Sequence, residues 1–385
     1  MTFARFLARM SGFSFLTRGH TVPSRHTTVL LALLLFGVAC ATEPSTKVVD
    51  SLPIASADTA VVVREAWQTT RDTLMDIDSP AVWHGPNGEA WLLVTAKAGD
   101  VIRIHDAATG AFIRDAGARG IKPGQFIRPN GLAVTGDVLW VVERDGRRVQ
   151  LLRLPEFTPL GAFGCADLVK PYGVTVVPGE AGNFRAWITD SYELVEDSVP
   201  PDSALGRRVR EYEVTVQGNR ATATLRRTFG DTSGVGVLRV VESIMADAAN
   251  NQLLIAEELE GSSQLKRYTL DGRFTGDTVA QRFFPNQAEG IVLYACGDSA
   301  GYWVATDQGK VVNTYHLFDR MTLAHVAAFG SPTIKNTDGI ALTQRALPGF
   351  PAGALFAVHD DGGVAAISWE AIAKATGVRS DCIVR

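Results

Sequence analysis

The chain has 385 residues, of which 46% are hydrophobic and 20% are charged, and its formal net charge is −4. This composition is ordinary for a globular protein and excludes a largely disordered chain. It also gives no basic footprint for nucleic acid, so an anionic ligand would have to be met by local cations or by a metal ion.

The first 39 residues have the features of an export signal. Basic residues precede an apolar run, residues 28–39, which is too short to span a bilayer comfortably. The run ends in Gly37-Val38-Ala39-Cys40, which resembles the lipobox of bacterial lipoproteins. We therefore expect residues 1–39 to be a signal peptide. The exported protein is then either an outer-membrane or periplasmic lipoprotein attached through Cys40, or a secreted protein.

The segment after the signal, residues 40–70, is polar and rich in Thr, Ser and Asp, and it has little periodicity. It is predicted to be a flexible tether. Besides Cys40, the chain contains Cys165, Cys296 and Cys382. In an oxidising compartment these three residues allow at most one disulfide and leave one thiol, and their spacing does not decide the pairing.

From residue 71 onward the pattern is that of β-strands, with one helical stretch near residues 369–375. A unit of strand, turn, second strand and more polar third strand recurs six times, beginning at Asp78, Asn130, Tyr172, Glu242, Glu289 and Asp338. Most starts are roughly 40 to 50 residues apart, as in propeller repeats. The longer interval after Tyr172 predicts an insertion at residues 193–207. The predicted fold is all-β, a six-bladed β-propeller over residues 71–385.

The repeat also predicts a site. The first strand of each propeller blade lines the central channel, so the six starting residues are expected to converge on one rim. The second strands end on or near the same rim, at Lys97, Arg144, Asp190, Glu258, Asp307 and Asp360. Any one of these residues could simply form a turn, since Asp and Asn favour strand ends. Together, crowded carboxylates repel one another unless cations intervene, and hard oxygen ligands suit calcium.

Several of these segments resemble the β-propeller phytases. Residues 78–83, Asp-Ser-Pro-Ala-Val-Trp, are similar to the Asp-Asp-Pro-Ala-Ile-Trp signature of that family, and Thr95-Ala96-Lys97 stands where the family has Thr-Asn-Lys. Further matches, in the same order and over nearly the whole domain, are residues 172–173, 242–247, 255–258, 289–290, 308–309, 337–340 and 369–373.

The resemblance implies a monomeric, calcium-dependent phosphatase of the 3-phytase type that acts on phytate or related phosphate esters. It implies calcium ligands at Asp78, Glu242, Glu258, Glu289 and Asp338. It implies that the residues acting on the substrate phosphate are Lys97, Arg144, Tyr172 and Glu258. It implies no nucleic-acid partner, and contact with a membrane is expected only through the lipid anchor.

The chain departs from the phytase pattern at several positions. Ser79 replaces the second Asp of the signature, and Gln287 replaces an acid. The family's Asn-Asn-Val-Asp-x-Arg stretch is replaced near residues 128–133, and a basic and acidic pair appears as Ser191-Tyr192 or is displaced into the insertion. These departures weaken at least two of the calcium or phosphate contacts that the phytase pattern implies.

Residues 124–134 support an alternative, because they resemble an NHL repeat. On this interpretation the chain is a non-catalytic propeller or a lactonase-like hydrolase of the SMP-30 type that binds a ligand at the channel mouth. Another motif, Gly297-Asp298-Ser299-Ala300-Gly301, matches the GxSxG pattern of a nucleophile elbow. Strand-like residues on both sides predict a hairpin there instead.

Overall fold

The structure, a computed structural model, describes residues 60–195 and 198–384. Six small sheets follow one another along the chain and form a six-bladed β-propeller, which confirms the predicted fold. The predicted signal peptide, Cys40 and most of the predicted tether lie outside the described residues. No helix in the described part of the chain is long and apolar enough to cross a membrane.

The first three blades are four-stranded antiparallel sheets. Blade 1 contains β3 (Ile77–His84), β4 (Ala90–Ala96), β5 (Val101–Asp106) and β6 (Phe112–Ala116). Blade 2 contains β7 (Pro129–Thr135), β8 (Val138–Glu143), β9 (Arg148–Arg153) and β10 (Thr158–Phe163). Blade 3 contains β11 (Pro171–Pro178), β12 (Asn183–Asp190), β13 (Val209–Gln217) and β14 (Arg220–Phe229). The predicted insertion, residues 193–207, joins β12 to β13.

The other three blades are built in the same order. Blade 4 contains β15 (Val241–Asp247), β16 (Gln252–Glu257), β17 (Gln264–Thr269) and β18 (Phe274–Val279). Blade 5 contains β19 (Ala288–Cys296), β20 (Ala300–Asp307), β21 (Thr314–Asp319) and β22 (His325–Gly330). Blade 6 contains β23 (Ile340–Thr343), β24 (Ala354–His359) and β25 (Gly363–Ser368). The GxSxG segment forms the β19–β20 hairpin, as predicted.

The N-terminal end of the described chain closes the ring. Strand β1 (Val61–Val62) pairs in parallel with β22, and β2 (Trp67–Gln68) adds the fourth strand of blade 6 by pairing with β25. The propeller therefore begins before the boundary at residue 71 that the sequence suggested. Strands of two residues carry no detectable periodicity, so the pattern could not show them.

The hydrophobic core consists of clusters packed between neighbouring blades. Trp83, Trp187 and Trp303 are fully buried, and each indole N–H donates a hydrogen bond to the chain beyond its own strand, to Asp137 Oδ1, the Leu270 carbonyl and the Arg320 carbonyl. Such bonds let a buried indole satisfy its one polar atom while its ring fills the space between blades.

The C-terminal end is fixed to blade 5. The predicted helix is α1 (Trp369–Thr376), and the tail after it is tied to the end of β19 by a disulfide between Cys296 and Cys382. Cys165 is exposed and is the remaining thiol within the described residues. The structure thus decides the pairing that spacing had left open.

Breaking this disulfide is expected to destabilise the propeller. The bond closes a segment of 86 residues, so Cys382→Ser should lower the free energy of unfolding by about 2–4 kcal/mol. Cys165→Ser is the matched control, because that thiol is exposed and unpaired. Equal urea midpoints for the two variants would contradict the expectation.

Candidate functional site

A β-bulge begins the first strand of five blades at the same place. In β15, Val241 pairs with Glu257 and Ile244 pairs with Ile255, so Glu242 and Ser243 together face one residue of β16. The same two-against-one register occurs at residues 78–79, 130–131, 172–173 and 289–290. Bulges redirect side chains beside functional sites. Here each bulge consists of one large polar residue followed by Gly or Ser.

The large polar residues of these five pairs, together with Asp338, which precedes β23 of blade 6, line one mouth of the channel, as the sequence predicted. They are Asp78, Asn130, Tyr172, Glu242, Glu289 and Asp338. The small residues after them form the next layer, and below that layer the channel encloses a cavity of about 280 Å³ lined largely by aliphatic side chains.

Small residues are needed in this layer because the blades approach closely there. A Cβ atom on Gly173 would lie 2.2 Å from the Glu242 carbonyl oxygen, and one on Gly339 would lie 2.6 Å from the Asp78 carbonyl oxygen. Backbone bonds join the blades at the same level, since the Gly290 N–H donates to the Asp338 carbonyl and the Gly339 N–H donates to the Asp78 carbonyl. The close approach of the backbones is what brings the rim carboxylates together.

An alanine at Gly173 is therefore expected to disturb the mouth. It should cost about 1–3 kcal/mol of stability through overpacking and should weaken any metal binding, because the Glu242 backbone must shift. Gly206→Ala is the control, since its nearest contact is an ordinary 3.4 Å from Thr232. An unchanged melting temperature and unchanged calcium affinity for Gly173→Ala would be the contrary result.

Three carboxylates meet on one side of the mouth. One oxygen from each of Glu242, Glu258 and Glu289 lies within 4.8 Å of the others. Glu258 and Glu289 are almost fully buried. Burial first, and then the charge of Asp78, raises the pKa of Glu242 to about 8. Burial and the neighbouring glutamates also raise the pKa values of Glu258 and Glu289 well above the usual range. Without a cation, this cluster is electrostatically unfavourable.

The mouth also contains a lysine among aspartates. Lys97 Nζ lies 2.8 Å from Asp78 Oδ2, 3.3 Å from Asp76 Oδ1 and 3.5 Å from Asp338 Oδ2. Burial works against the charge on Lys97, but Asp78 and Asp338 outweigh it and raise its pKa. Burial and Asp78 raise the pKa of Asp338 to about 7, and Gln308 donates a hydrogen bond to that carboxylate.

A second cation lies beside Tyr172. Arg144 Nη1 donates a hydrogen bond of 3.0 Å to the Tyr172 hydroxyl, and its Nε donates to Asp145 at 2.9 Å. A quarter of the Arg144 side chain is exposed. Burial and the charge of Glu242 raise the pKa of Tyr172 above its usual value, so the hydroxyl stays protonated at neutral pH. Arg144 is therefore held against Tyr172, which lines the mouth.

Two residues predicted on the rim have another role. Asp190 and Asp307 lie one position earlier in their strands than Lys97, Arg144 and Glu258. Because side chains alternate across a strand, that one position turns them away from the mouth. Asp190 accepts a bond from the Lys170 N–H and pairs with Arg210 at 2.8 Å, and Asp307 accepts one from the Asn286 N–H. Both residues end second strands near the mouth, as predicted, but their side chains hold neighbouring backbone and do not join the carboxylate cluster.

Asp360 also lies apart from the carboxylate cluster. Its carboxylate pairs with Arg71 at 2.5 Å and with Lys335 at 3.4 Å. Sequence reasoning missed Asp76 and Gln308 as neighbours of Lys97 and Asp338. Gln308 occupies the strand position equivalent to Glu258, so alignment by that position would have found it.

The donor set fits calcium. The side chains available are carboxylates and one amide, all hard oxygen ligands, which calcium prefers. Glu258 Oε1 and Asn130 Oδ1 are buried and have no hydrogen-bond partner. A buried acceptor without a donor is unfavourable unless a cation or water satisfies it. Asn130 thus joins the five predicted ligands as a further oxygen donor at the mouth.

Comparisons with known proteins support the fold. No protein-family model and no curated protein matches the chain. A solved structure of regucalcin, a calcium-binding protein from Agrobacterium tumefaciens strain C58, is similar at 13% identity and a TM-score of 0.50, covering 80% of this chain and 95% of that one. An inactive variant of virginiamycin B lyase from Staphylococcus aureus is similar at 12% identity and a TM-score of 0.46, covering 78% and 98%. The likeness to regucalcin shows the propeller fold alone, and a fold does not by itself define an activity.

Proposed function

We propose that the channel mouth binds calcium together with a phosphorylated small molecule and hydrolyses its phosphomonoester, with phytate as the substrate to test first. The observation that carries this proposal is the convergence at one mouth of the three-glutamate cluster with two cations, Lys97 and Arg144. Acids alone would repel a phosphate, and cations alone would not hold a metal ion.

The residues that would hold calcium are the carboxylates of the mouth, namely Asp78, Glu242, Glu258, Glu289 and Asp338, with Asn130 beside them. Bound calcium would neutralise phosphate oxygens and lower the pKa of a bound water. The crowded carboxylates, among them Glu258 with a buried Oε1 that has no hydrogen-bond partner, supply the negative charge that such an ion requires.

The basic residues orient the phosphate. Arg144 presents a planar set of donors that can contact two phosphate oxygens, while its bond to Tyr172 fixes the direction of the guanidinium. Lys97 is a compact positive charge held among Asp76, Asp78 and Asp338. A phosphate bound at the mouth would therefore accept directional hydrogen bonds from Arg144 and be attracted by the compact positive charge of Lys97.

A second candidate is a lactonase-like or non-catalytic propeller that binds its ligand at the same mouth. The similarity to regucalcin, described as a calcium-binding protein, supports this candidate better than it supports a phytase. The departures at Ser79 and Gln287 favour it too, because each removes a carboxylate that the phytase pattern has. Both candidates use the same calcium site. They differ in the reaction, which is hydrolysis of a phosphomonoester in the first candidate and hydrolysis of a lactone, or ligand binding alone, in the second.

Phosphate release from phytate, measured with calcium and with a chelator, tests the proposal. Calcium-dependent release that is lost in Glu258→Gln supports hydrolysis. Calcium binding detected by calorimetry, without release of phosphate from phytate, would overturn the proposed phosphomonoester hydrolysis and leave the second candidate. Hydrolysis of an aliphatic lactone in the same preparation would identify the lactonase-like form.

A further inference from the structure

The second strand ends in a buried carboxylate in four of the six blades that the structure describes. These four residues are Glu143, Asp190, Glu257 and Asp307. Each accepts a hydrogen bond from a backbone N–H of the loop that enters the first strand of the same blade. The donors are the amides of Ile127, Lys170, Val240 and Asn286. The carboxylate therefore ties the start of the first strand to the end of the second strand.

In blade 4 this carboxylate bridges the two segments that carry glutamates of the cluster. The two oxygens of Glu257 accept the N–H groups of residues 239 and 240, at 2.6 Å and 3.0 Å, shortly before Glu242. Its Oε1 also accepts the Leu259 N–H at 3.3 Å, directly after Glu258. One fully buried side chain thus holds the backbone that enters Glu242 and the backbone that leaves Glu258.

A buried lysine balances the charge of Glu257. Lys266 Nζ lies 3.4 Å from Glu257 Oε2, and both side chains are almost completely removed from solvent. Removing one partner of such a pair leaves an uncompensated buried charge, whereas removing both avoids that cost. The two residues must therefore be replaced together when the role of the carboxylate is tested.

The cluster requires a rigid frame because its members repel one another. One oxygen from each of Glu242, Glu258 and Glu289 lies within 4.8 Å of the others, and loosely held segments would let these like charges move apart. Groups behind the ligands contribute to metal affinity because they hold the ligands near their bound positions. Asp307 holds the segment that enters Glu289 in the same manner. The frame is therefore present in both blades that supply the cluster.

We propose that Glu257 is a positioning residue for the metal site at the mouth. It fixes the backbone beside Glu242 and Glu258, so that their carboxylates stay close together before an ion binds, and it does not itself contact the ion. This inference rests on the calcium site of the proposed function and is independent of the reaction there. In blade 3 the equivalent residue is Asp190, and that blade lends Tyr172 to the mouth but none of the proposed calcium ligands.

Calcium affinity measured by calorimetry tests the inference. The test variant is Glu257→Ala with Lys266→Met, which removes the carboxylate and its buried partner together. The matched control is Asp190→Ala with Arg210→Met, because Arg210 is buried and pairs with Asp190 at 2.8 Å. If the test variant does not fold, Glu257→Gln takes its place, since glutamine keeps one of the two acceptor oxygens.

Hydrogen exchange in chelator gives a second readout that needs no metal ion. Backbone amides are expected to exchange faster at residues 239–242 in the test variant and at residues 169–172 in the control, because each variant releases its own loop. The Kd for calcium is expected to rise about tenfold or more in the test variant and to stay unchanged in the control. A residue with only a structural role would give the first result without the second.

Equal calcium affinity of the two variants would overturn the inference and leave Glu257 with a structural role alone. Unchanged exchange at residues 239–242 in the test variant would overturn it as well. A parent protein that binds no calcium would overturn the metal site of the proposed function, and the inference with it, before any variant is compared. Phosphate release is not measured in this experiment, so failure of the proposed hydrolysis does not alter its outcome.

Discussion

Arg144→Ala is expected to lower kcat/KM for phytate by about 10²-fold, equivalent to about 2.7 kcal/mol of transition-state stabilisation. The guanidinium lies at the mouth with a hydrogen bond to Tyr172 and is partly exposed, so its remaining donors are free to reach a phosphate. Charge that develops on the phosphate during hydrolysis would be met by these donors, which alanine cannot replace. The measurement is phosphate release under initial-rate conditions in calcium.

The neighbouring Arg147 gives a matched control. It is exposed, and its Nε donates to the Leu168 carbonyl, so Arg147→Ala removes the same charge without touching the mouth. Lys97→Ala should have a smaller effect than Arg144→Ala, and the double variant should fall short of additivity because both cations serve one phosphate. If Arg144→Ala and Arg147→Ala lose activity to the same degree, Arg144 has no specific role.

Calcium is expected to stabilise the folded protein strongly, by about 4 kcal/mol when its concentration is 1,000 times Kd. The ion would relieve the repulsion among Glu242, Glu258 and Glu289, which converge only in the folded state. Replacing Glu242 and Glu289 together by glutamine should abolish the increase in melting temperature. In chelator the same double variant should become increasingly more stable than the parent as pH rises above the ordinary glutamate pKa. Burial raises the pKa of Glu242 and of Glu289 in the folded state, so the folded parent must either keep two protons that the unfolded chain releases or hold two buried like charges.

The double variant is thus expected to be less stable than the parent in calcium and more stable than the parent in chelator. A variant that only disturbed packing would be less stable than the parent in both conditions. Glu180→Gln with Glu260→Gln removes two charges from exposed loop positions and should leave both melting temperatures unchanged. A parent protein whose melting temperature is the same in millimolar calcium and in chelator would contradict a metal site at the mouth.

The sequence was sufficient for the architecture and for the rim. Short runs rich in β-forming residues and bounded by Gly, Asn or Asp mark the longer strands, such as β4, β8 and β16. A large polar residue followed by Gly or Ser recurs in every blade. Each such pair begins a first strand, so Asp78, Glu242 and Asp338 could be assigned to one mouth before any distance was known. This assignment needs only the local sequence pattern of each repeat and the strand topology that propellers share.

Tertiary structure decided which of the remaining charged residues reach the mouth. Glu258 and Asp307 both end second strands in the sequence, yet Glu258 joins the carboxylate cluster and Asp307 holds the loop at Asn286. One position along a strand reverses the direction of a side chain, and a run of similar residues does not fix that register. The pairing of Cys296 with Cys382, and the closure of blade 6 by β2, were likewise fixed only by contacts between distant segments of the chain. Local pattern carries no information about such contacts, because they arise when the blades close into a ring.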